Sequence, residues 1–193
     1  MPDTRILVFG GSVRTGSLSA KLAALAAKEI ALLDTEVTRI SLEDYPLPIY
    51  NADLEAEKGI PENALKLARL IAAHQGVFVA TPEYNHSLPP LLKNTIDWVS
   101  RLRGDPSIPY RGKVYAIGST SDGPIGGARA LGDLRRVLAT AWGALIVPEK
   151  VEISEAQHAF DESGHLKDPR VANVLRRLCE SLVRQIRGYV RKA

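Results

Sequence analysis

The chain has little of what several function classes require. It carries one cysteine, Cys179, in 193 residues, so no disulfide can close within it and no cysteine-based zinc site can form. Cys179 falls one helical turn after Leu175, the place of a small buried hydrophobe rather than of a reactive thiol. The four histidines show no metal-like pairing, and no metal is expected. No run of about 18 apolar residues occurs, so no membrane span is expected. The opening stretch Met1–Arg5 is short and polar and lacks the layout of a signal peptide. Together these absences point to a reducing, cytoplasmic setting. Two phosphate fingerprints are missing as well. There is no GK[ST] of a P-loop, and no GxGxxG, which disfavours a Rossmann-type dinucleotide fold.

Charge of one sign is also scarce. The formal net charge is +3, and much of the excess sits at Arg170, Arg176, Arg177, Arg184, Arg187, Arg191 and Lys192. These residues fall among helix-spaced apolar positions and read as a solvated helix face. They are not interleaved with aromatics and form no reader motif, so nucleic acid is not an expected partner. A modest positive balance still helps attract phosphate-bearing ligands.

What is present is core material: 45% of the residues are apolar. The length suits one domain, and no repeat or low-complexity segment stands out, so residues 1–193 read as a single unit. Five β-rich runs occupy residues 5–11, 36–42, 76–81, 113–119 and 144–153. The first, third and fourth are nearly continuous apolar stretches, as expected of strands buried on both faces. Helical patterns lie at about 17–33, from Pro61 through Ile71, from Pro89–Pro90 through Val99, at 127–142 and at 169–190. Strand and helix thus alternate, which predicts an α/β fold: a doubly wound five-stranded parallel sheet, order 2-1-3-4-5, with helices on both faces. Ligands of such sheets sit beyond the C-terminal strand ends, in the loops after strands one, three and four.

Each of those loops has ligand-facing chemistry. The first runs from Gly10 to Ser19 and places glycines, hydroxyls and Arg14 just before a helix, whose unpaired N–H groups suit a phosphate. Ser12, Thr15, Ser17 and Ser19 can add O–H donors and Arg14 a charge-assisted pair. Alone, the loop reads equally as a helix capped by Ser17. The second, Thr81 to Pro90, is stiffened by prolines and can offer backbone groups to the edge of a flat heterocycle, with Tyr84 near a ring. Glu83 is open to two readings, a general base or a solvated or helix-capping carboxylate, and His86 reads more readily as a surface residue. The third, Ser119 to Gly127, is rich in glycine, which permits close approach of backbone to a ligand. Its plainer reading is a turn into the fourth helix.

The residues Pro82 to Trp98 resemble the pattern PEYNxSxPxxLKNxIDW of the NADPH-dependent FMN reductase family, including its quinone and chromate reductase members. Gly11–Ser17 is similar to that family's GSxRxxS phosphate loop, Ser121–Arg129 to its SxGxxGGxR segment, and Leu47–Asp53 to its loop after strand two. The resemblance implies a flavodoxin-like fold and covers nearly the whole chain. It places Ser12, Arg14, Ser17, Leu18 and Ser19 around the phosphate of FMN. It places Pro82, Glu83, Tyr84, Asn85 and His86 along the isoalloxazine ring, with Ser121 and Gly123 closing the far side. Where many relatives carry Asn, this chain has Ser19, which can still donate to phosphate. No side chain is assigned a catalytic role, because the flavin carries the chemistry. The resemblance further implies NADPH or NADH as electron donor, a small-molecule electron acceptor such as a quinone, free flavin or chromate, and a homodimer or homotetramer. The alternative is a flavodoxin-type electron carrier that binds FMN without oxidising NAD(P)H. A flavin-free phosphate-binding protein is a second alternative.

Overall fold

The computed structural model describes residues 4–102, 104–105 and 111–190. Met1–Asp3, Arg191 and Lys192, which entered the reading of the termini, lie outside the described residues. The elements run β1 (Arg5–Gly10), α1 (Leu18–Ala31), β2 (Glu36–Arg39), a single 3-10 turn (Leu42–Asp44), α2 (Ala52–Lys58), α3 (Glu62–Ala73), β3 (Gly76–Pro82), α4 (Pro90–Ser100), β4 (Val114–Thr120), β5 (Leu145–Ile146) after α5 (Ala128–Trp142), β6 (Val151–Ile153), α6 (Ala156–Ala159) and α7 (Pro169–Val190).

The sheet is parallel throughout, in order β2-β1-β3-β4-β5, as the alternation of elements predicts. Side chains alternate between its two faces. Ile6, Val8, Phe78 and Ala80 face one layer, with Leu22, Ala26 and Ile30 of α1 and Leu178, Leu182 and Ile186 of α7. Leu7, Phe9, Val77 and Val79 face the other, with Leu67 and Ile71 of α3, Ile96 and Val99 of α4, and Leu134 and Trp142 of α5. Both faces are therefore dry, which is why the central strands read as unbroken apolar runs. Cys179 packs inside the first layer, fully buried, and burial pushes its thiol well above the ordinary range, with Glu29 and Glu180 adding to the effect. The described arginines of α7 line its outer side, where Arg170, Arg176, Arg177 and Arg184 are exposed.

Two expectations need correction. The fifth strand is not one run over residues 144–153. β5 pairs with the start of β4 (Val114, Tyr115), whereas β6 pairs with its end (Gly118–Thr120). Pro148 stands between them and has no N–H to give to a ladder. The second strand stops at Arg39, and Leu42 turns inward to start the 3-10 turn capped by Ser41. The sequence also gave no sign of α2. Its N-cap Asn51 accepts from Asp53 N, yet none of its residues is buried, so it has no apolar stripe to reveal it.

Candidate flavin site

From β1 the chain crosses through α1 to β2 on one side, then returns to β3 on the other. The loops after β1 and β3 diverge at this switch point and leave a crevice beyond the strand ends. Gly10 lies close under α1: an added Cβ would stand 3.1 Å from Ala20 N, tighter than an ordinary contact. The N-terminus of α1 is thereby brought hard against the end of β1.

Ser17 caps α1, its Oγ accepting from Ala20 N at 3.2 Å and lying 3.0 Å from Ser19 Oγ. Both serines are buried, at 5% and 1% exposure. No acidic residue occupies the first turn of α1, so the positive end of the helix faces the crevice unopposed. Arg14 is exposed beside it, its guanidinium reaching Thr15 O at 3.3 Å. Gly11 N donates to Ala80 O at 2.7 Å, which ties this loop to β3.

The second wall begins at Pro82, the last residue of β3. Tyr84 and Ser87 exchange backbone hydrogen bonds of 3.1 and 3.0 Å. The residues between them, Asn85 (φ 50°) and His86 (φ 63°), are both left-handed, which is the geometry of a type I′ turn. The pairing uses the amides of Tyr84 and Ser87, so those of Asn85 and His86 are not spent on the turn. Tyr84 stands 42% exposed at the mouth of the crevice.

Glu83 resolves in favour of capping. Its side chain is 7% exposed, and Oε2 accepts from the N–H groups of Arg129 and Ala130, each at 3.0 Å. Its other oxygen lies 3.5 Å from His86 Nδ1, and Arg129 Nη1 lies 3.3 Å from the same nitrogen.

The third wall is held from behind. Ser121 N donates to Ile153 O and Ala156 N to Ser121 O, so the loop after β4 is pinned to the segment joining β6 and α6. Gly126 and Gly127 are both left-handed, at φ 61° and 81°, and a Cβ on Gly126 would lie 3.0 Å from the backbone of Glu152 and Ser154. Ser119 Oγ donates to Gly126 O at 2.7 Å.

Nine of the twelve residues singled out in the sequence meet at one cleft of about 80 Å³: Ser12, Arg14, Ser17, Leu18 and Ser19 from the first loop, Pro82, Glu83 and Tyr84 from the second, and Ser121 from the third. Asn85, His86 and Gly123 are not among its lining residues. Thr120 and Asp122 line it as well and escaped the sequence reading. Their signal was positional, since they flank Ser121 at the C-terminal end of β4. Among the described residues no group of three or more His, Cys, Asp or Glu could hold a metal ion, and no helix is long and apolar enough to cross a membrane.

The donor set fits FMN. Hydroxyls, one guanidinium and a helix N-terminus at one end suit a phosphate, and a stiff, half-exposed wall at the other suits a flat ring.

A doubly wound parallel sheet with its crevice at the switch point is the flavodoxin-like class of fold. Within it, the chain belongs to the NADPH-dependent FMN reductase family, whose sequence model matches residues 4–158. An NAD(P)H-dependent FMN reductase of Pseudomonas aeruginosa is 36% identical over 190 residues, which cover 96% of this chain and 98% of that protein. A quinone reductase of Escherichia coli K12 is 42% identical over 135 residues, 69% of each chain. Among solved structures, the flavoenzyme NAD(P)H:(acceptor) oxidoreductase FerB of Paracoccus denitrificans superposes with a TM-score of 0.77 at 31% identity, covering 96% of this chain and 98% of that one.

Proposed function

We propose that this chain is a single-domain NAD(P)H-dependent, FMN-containing oxidoreductase that reduces a small acceptor such as a quinone, free flavin or chromate. The carrying observation is convergence: residues from three strand-end loops, at Ser12, Tyr84 and Ser121, line one cleft. When bound, FMN would supply the redox chemistry between the nicotinamide donor and the acceptor.

The protein's own part is binding and orientation. Ser12, Ser17, Ser19 and the first N–H groups of α1 would hold the phosphate, and Arg14 would add a charge-assisted pair from the solvent side. Pro82 and Tyr84 would pack along the ring, and the Tyr84–Ser87 turn, whose own pairing leaves the Asn85 and His86 amides unused, would supply backbone donors toward it. Ser121 bounds the far side, its Oγ accepting from Gly123 N at 3.2 Å. No side chain is required to move a proton during hydride delivery, and Glu83 is committed to α5.

The quaternary assignment is a homodimer or homotetramer. A cleft open along one side is completed by a second copy, and Ile49, 86% exposed, offers an apolar contact. That loop is held firmly: Asn94 Nδ2 and Trp98 Nε1 donate to Pro48 O at 2.9 and 2.7 Å. The setting is cytoplasmic, in keeping with a lone, buried thiol.

The flavodoxin-type carrier is the rival reading, and the net charge of +3 argues against it, since flavodoxins tend to be acidic. One experiment separates them. The purified protein should show flavin absorbance that NADPH or NADH bleaches without air, and should consume NAD(P)H steadily with a quinone and no protein partner. A flavin spectrum that stays oxidised with both nicotinamides defeats the reductase reading.

A further inference from the structure

The segment between β3 and α4 is fastened to α5 at two points. At the first, the buried Glu83 carboxylate accepts from Arg129 N and Ala130 N, amides of a helix whose N-cap residue, Gly127, supplies no side-chain acceptor. At the second, Ser87 Oγ donates to Asp133 Oδ2 at 2.6 Å, one turn further along the same helix. The Ser87 hydroxyl, ahead of Arg136, holds the Asp133 carboxyl below its ordinary range. Between the two fastenings lie two left-handed residues, neither of them glycine. Such conformations cost free energy and persist where the surroundings over-determine them.

The geometry points to Glu83 and Asp133 as positioning residues, a two-point clamp on α5 that holds the Tyr84–Ser87 turn, and with it the ring wall of the cleft. This rests on the flavin reading above. Glu83 is the stronger anchor, being buried and accepting two amide bonds. Asp133 is the weaker, with a side chain 33% exposed. The clamp acts on the ring end of the ligand and not on the phosphate end, which belongs to α1.

Conservative variants isolate the effect. Both amide bonds of Glu83 go to one oxygen, so Glu83→Gln keeps an acceptor in place, and Asp133→Asn keeps one for Ser87. The alanine variants keep neither. The test is a titration of apoprotein with FMN and with riboflavin, read by quenching of flavin fluorescence, with inorganic phosphate as a competitor of FMN. Glu83→Ala is expected to weaken both flavins by the same factor, about tenfold, and Asp133→Ala by about threefold, in line with two amide bonds lost at a buried carboxylate and one bond lost at a partly exposed one. Glu83→Gln and Asp133→Asn stay within about twofold of the parent. The phosphate inhibition constant is unchanged in all four. Ser87→Ala tests the second anchor independently, should Glu83→Ala not fold. Alanine variants that bind riboflavin as tightly as the parent overturn the clamp, as does a loss of phosphate affinity equal to the loss of riboflavin affinity, which marks a loosened fold. A parent protein that binds neither flavin overturns the flavin reading and the clamp together.

Discussion

The hydroxyls of Ser12 and Tyr84 lie 3.4 Å apart although 72 positions separate them in the chain. The pair joins the loop after β1 to the loop after β3 across the cleft. At that distance the hydrogen bond is weak, so the hydroxyl of Tyr84 matters less than its ring.

Tyr84→Phe should therefore leave FMN affinity within about threefold and stability within about 0.5 kcal/mol, as usual for a half-exposed side chain. Tyr84→Ala should weaken FMN several-fold more by removing the aromatic wall. Fluorescence titration and thermal melting separate the two. Equal losses in both variants would mean that the hydroxyl carries the contact.

Ser17 has two duties, capping α1 and facing the cleft, and two substitutions pull them apart. Ser17→Ala removes the cap, which costs about 1 kcal/mol and should lower Tm by about 2–4 °C, with weaker FMN binding. Ser17→Asp keeps a capping oxygen but puts a negative charge at the proposed phosphate end of the cleft. It should melt closer to the parent than Ser17→Ala does and bind FMN less tightly than Ser17→Ala does.

Acid should loosen the docking of α7. Ser181 Oγ donates to Glu149 Oε2 at 2.6 Å, and this bond, with Arg184 and Arg177 nearby, holds the Glu149 carboxyl below its ordinary range. A carboxyl depressed in the folded state adds stability above its unfolded value, about pH 4.3 for Glu, and that contribution is lost as pH falls through the lower folded value. Urea midpoints measured from pH 6 to pH 3 should fall, and should fall less steeply in Ser181→Ala. Parallel slopes would show that this contact plays no part.

Cys179 should be inert in the native protein. Its Sγ is buried 4.0 Å from Ala26 O and its thiol is pushed up by burial, whereas only an accessible thiolate reacts. A thiol reagent at pH 8 should label nothing within the minutes in which a free cysteine is consumed, and one equivalent in guanidinium. Rapid native labelling would mean that α7 opens away from α1.

Much of the fold could be read from the chain because its cause is local. The runs at residues 5–11, 76–81 and 113–119 are apolar without alternation, since those strands are covered on both faces. The stripes of α1, α3, α4, α5 and α7 repeat with helical period, since each has one covered face. α2 had no such stripe and went unread. The split of the fifth strand was written at Pro148 but masked by the apolar run before it and by Val151 and Ile153 after it.

The site divides in the same way. Hydroxyls before a helix and prolines after a strand are local signals, and they named most of the cleft. The role of Glu83 was left open by its neighbours, because its partners stand 46 and 47 positions away in α5. Likewise the stretch at Leu47–Asp53 and the stretch carrying Asn94 and Trp98 read as separate motifs, yet Asn94 accepts from Tyr50 N at 2.8 Å and both side chains hold Pro48 O.

Composition and periodicity were thus enough for the sheet order, the dry layers and the three strand-end loops that meet at the cleft, because burial on one or two faces leaves a repeat in neighbouring residues. Folding alone assigned the hydrogen bonds that lock the loops together, since a carboxylate or amide carries no mark of a partner that meets it only after the sheet has closed.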